Sequence, residues 1–96
     1  MKKDIPESVL KDITKFAEIS SVDKVILFGS RARGTNSQRS DIDLAVYGGN
    51  FDLFYWNIMD KVDSLITFDI IDASSNISDK LKLEIEKDGV VIYEKV

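Results

Sequence analysis

Short apolar stretches of strand length alternate along the chain with longer segments whose apolar residues recur at helical spacing. The strand-length stretches lie at residues 24–28, 41–47, 67–72 and 90–93. The helical segments lie at residues 6–19, 30–34, 50–64 and 78–88. Because each kind of element must bury its apolar side against another, the pattern predicts an α/β (α+β) protein with the element order α-β-α-β-α-β-α-β.

The ends of the predicted helices carry recognisable signals. Pro6 suits the first position of the first helix, and Ser20-Ser21 ends it. Asn50 is a suitable N-cap for the third helix, which is predicted to run to about Ser64. Gly89 suits the C-terminal end of the fourth helix. The apolar face of the first helix consists of Val9, Leu10, Ile13, Phe16 and Ala17.

Composition limits both size and function. With 96 residues, of which 44% are hydrophobic, the chain is expected to form a single domain over residues 1–96. Its net charge of −4 disfavours sequence-independent binding to nucleic acid, because such binding depends on Lys and Arg neutralising phosphates. The chain has no apolar stretch long enough for a membrane span and no apolar signal region at its start, so we expect a soluble, cytoplasmic protein.

The chain contains neither cysteine nor histidine. Their absence excludes disulfides, thiolate or histidine metal sites, cysteine nucleophiles and Ser-His-Asp triads. Any chemistry must therefore come from carboxylates, hydroxyls, Lys, Arg, Tyr, backbone amides and a hard metal ion.

A turn and a group of arginines suggest phosphate binding. Gly29-Ser30 follows a predicted buried strand and opens a short helix, where backbone amides and the Ser30 hydroxyl are donors suited to phosphate. Taken alone, the pair is more typical of an ordinary strand-to-helix turn. The three arginines of the chain, Arg31, Arg33 and Arg39, all lie shortly after this turn. Arginine suits bidentate phosphate recognition, and the alternative is a solvated basic loop.

Two carboxylates follow this loop. Asp41 and Asp43 are separated by one residue of a predicted strand, so the period of two places both side chains on the same side. Two like charges so close together repel each other unless a cation lies between them. Mg²⁺ prefers one or two carboxylates together with phosphates and water. An exposed sheet face or strand edge explains the pair equally well.

A third carboxylate, Asp69, interrupts the apolar strand at 67–72. A carboxylate among apolar neighbours is costly unless it is paired or bound to a metal. If the third helix crosses over between parallel strands at 41–47 and 67–72, Asp69 joins the Asp41 and Asp43 pair. Asp72 lies on the opposite strand face, and we interpret it as a turn residue.

Together these parts describe a site for phosphoryl-type transfer. Gly29-Ser30, ten residues, then Asp41-Ile42-Asp43 resembles the signature of the polymerase-beta-type nucleotidyltransferase superfamily. The longer form, Gly-Ser-Arg-Ala-Arg-Gly followed by Ser-Asp-Ile-Asp-Leu, is similar to the minimal nucleotidyltransferases (MNT), antitoxins that are commonly paired with HEPN-domain toxins. The resemblance covers nearly the whole chain. It implies the nucleotidyltransferase fold, a small mixed sheet of about four strands flanked by helices.

The resemblance also implies a role for each motif residue. The residues that bind the nucleotide phosphates would be Gly29, Ser30, Arg31, Arg33 and Arg39. The catalytic carboxylates, which would also be the ligands of one or two Mg²⁺ ions, would be Asp41, Asp43 and Asp69. Asp69 would in addition be the base for the incoming hydroxyl.

The implied reaction transfers AMP from ATP onto a tyrosine hydroxyl of a HEPN-type toxin, an RNase that the modification would silence. The resemblance also implies that larger relatives hold their acceptor with an extra helical domain. We expect none within these 96 residues, which favours a protein partner. Two alternatives stay open: an antitoxin that neutralises its partner by binding alone, and a transferase for a small molecule of the aminoglycoside type. No direct contact with nucleic acid or membrane is expected, whereas a homo- or hetero-oligomer is possible.

The predicted third helix has two apolar faces. The first consists of Phe51, Phe54, Tyr55, Ile58 and Val62. The second consists of Leu53, Trp56 and Met59. One face is expected to pack on the sheet. The second is either a partner surface, for which Trp and Met are typical residues, or a cover for the sheet edge or the terminal helix.

Overall fold

The predicted elements occur in the predicted order in the computed structural model, which describes residues 4–62 and 65–96. They are α1 (Glu7–Ile19), β1 (Lys24–Phe28), α2 (Ser30–Arg33), β2 (Ile42–Tyr47), α3 (Phe51–Lys61), β3 (Phe68–Asp72), α4 (Asp79–Asp88) and β4 (Val90–Glu94). α3 is shorter than predicted because Val62 is extended, with φ −80° and ψ 118°. Ser64, its predicted end, lies outside the described residues.

The helix ends show which capping signals act. Asn50 and Ser78 are the N-caps of α3 and α4, and each side-chain oxygen accepts a hydrogen bond from the backbone N–H three residues later, at 3.1 and 3.2 Å. The predicted role of Asn50 is therefore confirmed. Pro6 is the N-cap of α1, and the first helical residue is Glu7. The prediction of Pro6 as the first helical residue is thus off by one position.

The strands form one mixed sheet in the order β3-β2-β1-β4. β2 pairs with β3 in parallel, and β1 pairs antiparallel with both β2 and β4. Parallel neighbours need a crossover connection, and α3 supplies it. The predicted parallel relation between these two strands is therefore confirmed, and so is the small mixed sheet.

Helices cover the two faces of the sheet unequally. α1 and α3 pack on one face around a large core, to which β2 contributes Ile42, Leu44 and Val46. α4 packs on the other face in a smaller cluster, whose buried members are Phe28, Ala45 and Ile85. Beyond this smaller cluster the α4 face is open, since Asp43 is half-buried and Asp69 is exposed. The alternation along β2 thus sends apolar side chains into the large core and Asp43 to the open part of the α4 face.

One side of α3 has no cover among the described residues. Leu53, Trp56 and Met59, here called the α3 stripe, are 41%, 66% and 46% exposed, whereas Phe54 and Ile58 on the opposite side are buried in the core. The alternative that the stripe covers the sheet edge or the terminal helix is therefore wrong. No helix in residues 4–62 and 65–96 has the length and hydropathy needed to cross a membrane.

Candidate active site

The register of two parallel strands brings two carboxylates together. Asp43 of β2 lies directly opposite Asp69 of β3, and both are on the sheet face that carries α4. Because residues that pair across adjacent strands project to the same side, the two carboxylates are neighbours at the open part of that face. The expectation that Asp69 lies close to Asp43 is met, and Asp69 avoids the cost of burial because it is exposed.

Asp41 lies beside this pair but is turned toward another partner. It is exposed just before β2, and its carboxylate accepts a hydrogen bond from the hydroxyl of Thr67, just before β3. In the part of the chain that the structure describes, no group of three carboxylates is arranged so that it could hold a metal ion. The three aspartates are therefore brought together, but the predicted three-carboxylate metal site is not preformed.

The charges around Asp43 perturb its ionisation. Partial burial raises the pKa of Asp43, and the nearby carboxylates of Asp69, Asp41 and Glu84 raise it further. The guanidinium of Arg33 acts in the opposite direction, and the resulting pKa is about 6 instead of 3.8. A carboxylate surrounded in this way is stabilised either by a proton or by a cation.

A close contact explains the glycine that precedes α2. Gly29 has φ 76° and ψ −157°, a conformation that residues with a side chain rarely adopt. A Cβ atom built on Gly29 would collide with Oδ2 of Asp43. Both the backbone conformation and the packing therefore require glycine, and its absent side chain lets the turn lie directly against the Asp43 carboxylate.

A groove of about 620 Å³ joins this turn to α4. The residues that line it are Phe28, Gly29, Ser30, Arg33, Asp43, Lys80, Leu83, Glu84, Lys87 and Asp88. The structure thus brings four sequence-predicted residues into one groove, namely Gly29, Ser30, Arg33 and Asp43. The α4 residues were missed because, in the sequence, their helical spacing is indistinguishable from an ordinary solvated helix face.

The three arginines have three different surroundings. Arg33 lies in the groove, where its Nη1 is 3.0 Å from Oδ2 of Asp88. Arg39 is exposed in the loop before β2 and does not line the groove. Arg31 is buried and points elsewhere, because neighbouring positions on a single helical turn project in different directions. Of the three predicted phosphate-binding arginines, Arg33 lines the groove, whereas Arg31 and Arg39 do not.

The guanidinium of Arg31 binds backbone carbonyls. Its Nε donates to the carbonyl of Ser40 at 2.9 Å, and Nη2 donates to those of Gln38 at 3.1 Å and Ser37 at 3.4 Å. Its Nη1 donates to the carbonyl of Asp4 at 3.0 Å. Arg31 therefore holds the loop that leads to Asp41, which is a structural role, and its predicted contact with phosphate stays a prediction.

The match to a family model covers most of the chain. The model described as polymerase beta, nucleotidyltransferase matches residues 11–96. This chain belongs to the polymerase beta nucleotidyltransferase family. The matched range contains the turn at Gly29, all three aspartates and the whole of α4. No curated protein matches the chain.

Two solved structures share the fold of this nucleotidyltransferase. One is the MntA-HpeT toxin–antitoxin pair, in a mutant with two Asp-to-Glu substitutions, and its TM-score is 0.70. The other is a toxin–antitoxin structure with AMP-PNP, and its TM-score is 0.66. Each is 23% identical to this chain and is matched over 90% of this chain and 73% of its own. The expected nucleotidyltransferase fold is therefore confirmed.

Removing the Arg31 guanidinium should destabilise the protein. Arg31→Met keeps the aliphatic stem but removes the donors of several part-buried hydrogen bonds to the loop, so the free energy of unfolding should fall by about 2 kcal/mol. Urea unfolding followed by circular dichroism measures this change. Arg39→Met is the matched control and should change stability by less than about 0.5 kcal/mol. Equal effects of the two substitutions would contradict the bracing role of Arg31.

The raised pKa of Asp43 should make the metal-free protein less stable as the pH rises. The native state holds a proton on Asp43 up to about pH 6, whereas the unfolded chain releases it near pH 3.8. This contribution to stability is therefore fully present below pH 3.8 and is lost as the pH rises through about 6.

Asp43→Asn removes this titration. With a chelator present, the variant should be more stable than the wild type at neutral pH by about 1 kcal/mol, a value reduced for partial solvent exposure. Below pH 3.8, where both states hold the proton, the difference should disappear. Urea unfolding at both pH values measures it, and stability differences that do not depend on pH would argue against the assignment.

Proposed function

We propose that this chain transfers AMP from ATP onto a tyrosine hydroxyl of a cytoplasmic HEPN-type toxin and so acts as its antitoxin. The observation that carries the proposal is the Asp43–Asp69 pair, aligned across parallel strands beside the Gly29–Ser30 turn. Family membership supports nucleotidyl transfer as the reaction class. The toxin–antitoxin relatives support the kind of acceptor.

The donor set suits magnesium. Asp41, Asp43 and Asp69 offer hard oxygen ligands, and Mg²⁺ needs only one or two of them when phosphates and water complete its octahedron. Because the phosphates of ATP would supply some of the Mg²⁺ ligands, the free protein does not need three carboxylates that already converge on one point. In the MntA-HpeT structure the two substituted aspartates are two positions apart, the same spacing as Asp41 and Asp43. That spacing supports the assignment.

Each residue has a distinct task in the proposed reaction. The backbone of Gly29 and the hydroxyl of Ser30 bind the phosphates of ATP. Asp69 accepts the proton of the tyrosine hydroxyl while the tyrosine oxygen attacks the α-phosphorus. A new O–P bond forms, the bond between the α-phosphorus and the oxygen bridging to the β-phosphate breaks, and pyrophosphate leaves. Bound Mg²⁺ would neutralise the charge that develops on the phosphates.

The α3 stripe suits the docking of a protein partner. α3 begins after Tyr47 and ends before β3, so it returns along the sheet toward the end where Asp41 lies. Asp52 and Asp60 are exposed next to Leu53 and Met59, which favours a partner with an apolar patch flanked by basic residues. We therefore place the toxin against the α3 stripe.

The transfer itself is tested with ATP labelled at the α-phosphate, Mg²⁺ and the HEPN-domain protein of the same host. The wild type should add an AMP-sized mass to the toxin and reduce its RNase activity. Asp69→Asn should slow the transfer by at least about 100-fold because the base is lost, yet still bind the toxin. Asp72→Asn is the matched control and should remain active. Asp72 accepts a hydrogen bond from the backbone N–H of Ser74 in the following turn, which is a structural contact that asparagine can also make.

Other outcomes distinguish the alternatives. Complete neutralisation without ATP and without added mass would show an antitoxin that acts by binding, and the transferase proposal would be wrong. Transfer of AMP to an aminoglycoside but not to the toxin would show a small-molecule enzyme.

The docking surface is tested separately. Leu53→Ala and Trp56→Ala should each weaken the complex with the toxin, for Trp56 by about 2 kcal/mol, because buried aromatic anchors dominate interfaces. Val91→Ala, on β4, is the control, since Val91 is 49% exposed but lies away from the α3 stripe. Surface plasmon resonance measures the affinities. Unchanged binding of the two α3 variants would place the interface elsewhere.

A further inference from the structure

The face of α4 that lines the groove lies beside the candidate active site, and the proposed reaction gives it no task. Leu81 and Ile85 pack toward the sheet, while Lys80, Leu83 and Lys87 line the groove that also contains the Gly29–Ser30 turn. The three groove residues recur at helical spacing, so they form one continuous strip along α4. This strip faces the place where the proposed function puts ATP.

The positively charged side chains that line the groove differ in whether a carboxylate pairs with them. Arg33 is paired with Asp88 at 3.0 Å. Among residues 4–62 and 65–96, the ion pairs are Arg33–Asp88 and Arg31–Asp4, so the ammonium groups of Lys80 and Lys87 are not held by a carboxylate. The groove also contains the carboxylates of Asp43 and Glu84, which repel a bare anion. A groove with both signs of charge fits an anion that arrives with a metal cation.

The two ends of the strip lie at different distances from the turn. The Arg33–Asp88 ion pair ties the C-terminal end of α4 to α2, so Lys87 lies at the end next to Ser30. Leu83 precedes Lys87 by about one helical turn, roughly 6 Å. It is 65% exposed, which leaves apolar surface free in the groove. A ligand with its phosphates at the turn would extend along α4 past Leu83.

We infer that α4 is the second wall of a nucleoside triphosphate site, in which Lys87 binds the phosphate tail and Leu83 covers the nucleobase. The inference rests on the proposed function and deepens it, since it assigns the two parts of the nucleotide to different residues. Lys87 supplies a point charge for the phosphates. Leu83 supplies apolar contact for one face of the base.

Calorimetric titration of the free chain tests the assignment without any transfer reaction. The probes are AMP-PNP and inorganic tripolyphosphate, each with Mg²⁺. Lys87→Met should raise the Kd for both probes about tenfold, equivalent to about 1.4 kcal/mol. Leu83→Ser should raise the Kd for AMP-PNP and leave that for tripolyphosphate unchanged. Lys82→Met is the matched control, since Lys82 is exposed on α4 and does not line the groove.

The possible failures are distinguishable. If the wild type does not bind AMP-PNP, the proposed function itself is wrong. If the wild type binds but Lys87→Met and Lys82→Met behave alike, the inference about the phosphate tail is overturned and the proposed function stands. If Leu83→Ser weakens both probes equally, Leu83 does not contact the base. Thermal unfolding of every variant checks that the fold is intact.

Discussion

The parallel pairing of β2 with β3 places Asp43 directly beside Asp69, and the remaining features of the site follow from this register. A slip of one residue would move Asp69 to the face covered by α1 and α3, where a carboxylate would be buried among apolar side chains. The register is therefore held by the large core as much as by the backbone ladder. Parallel pairing also demands the crossover through α3, which leaves the α3 stripe on the outside of the molecule.

The carboxylates are brought together against their mutual repulsion, and the surroundings limit the cost. Asp69 and Asp41 are exposed, and Asp43 alone is partly buried. Gly29 lies against the Asp43 carboxylate and has no side chain to displace it. Partial burial of Asp43, and after it the repulsion from the neighbouring carboxylates, keeps its pKa raised. A protein that kept these charges for stability alone would gain from replacing them, so their clustering is best explained by binding and chemistry.

Two arginines of α2 have different roles although they are close together in the sequence. Arg31 and Arg33 are two positions apart, yet one holds the loop through backbone carbonyls and the other lies in the groove. The free-energy cost of burying the Arg31 guanidinium is offset because carbonyl oxygens accept hydrogen bonds from its N–H groups. The position of Asp41 depends on this loop, so Arg31 supports the site by holding the loop in place.

The sequence by itself determined the order of the elements, the faces of the strands and the turn at Gly29, because these depend on local periodicity and on backbone conformations that one residue type prefers. It also indicated that Asp41, Asp43 and Asp69 belong together, since a parallel crossover follows from strand and helix lengths. Which arginine reaches the groove was decided only by the tertiary structure, because the directions of side chains on one short turn depend on what buries them. The contribution of α4 was likewise invisible, since Lys80, Leu83 and Lys87 look like an ordinary solvated face until α4 is laid across the sheet beside Ser30. Long-range packing creates that neighbourhood, and no local pattern encodes it.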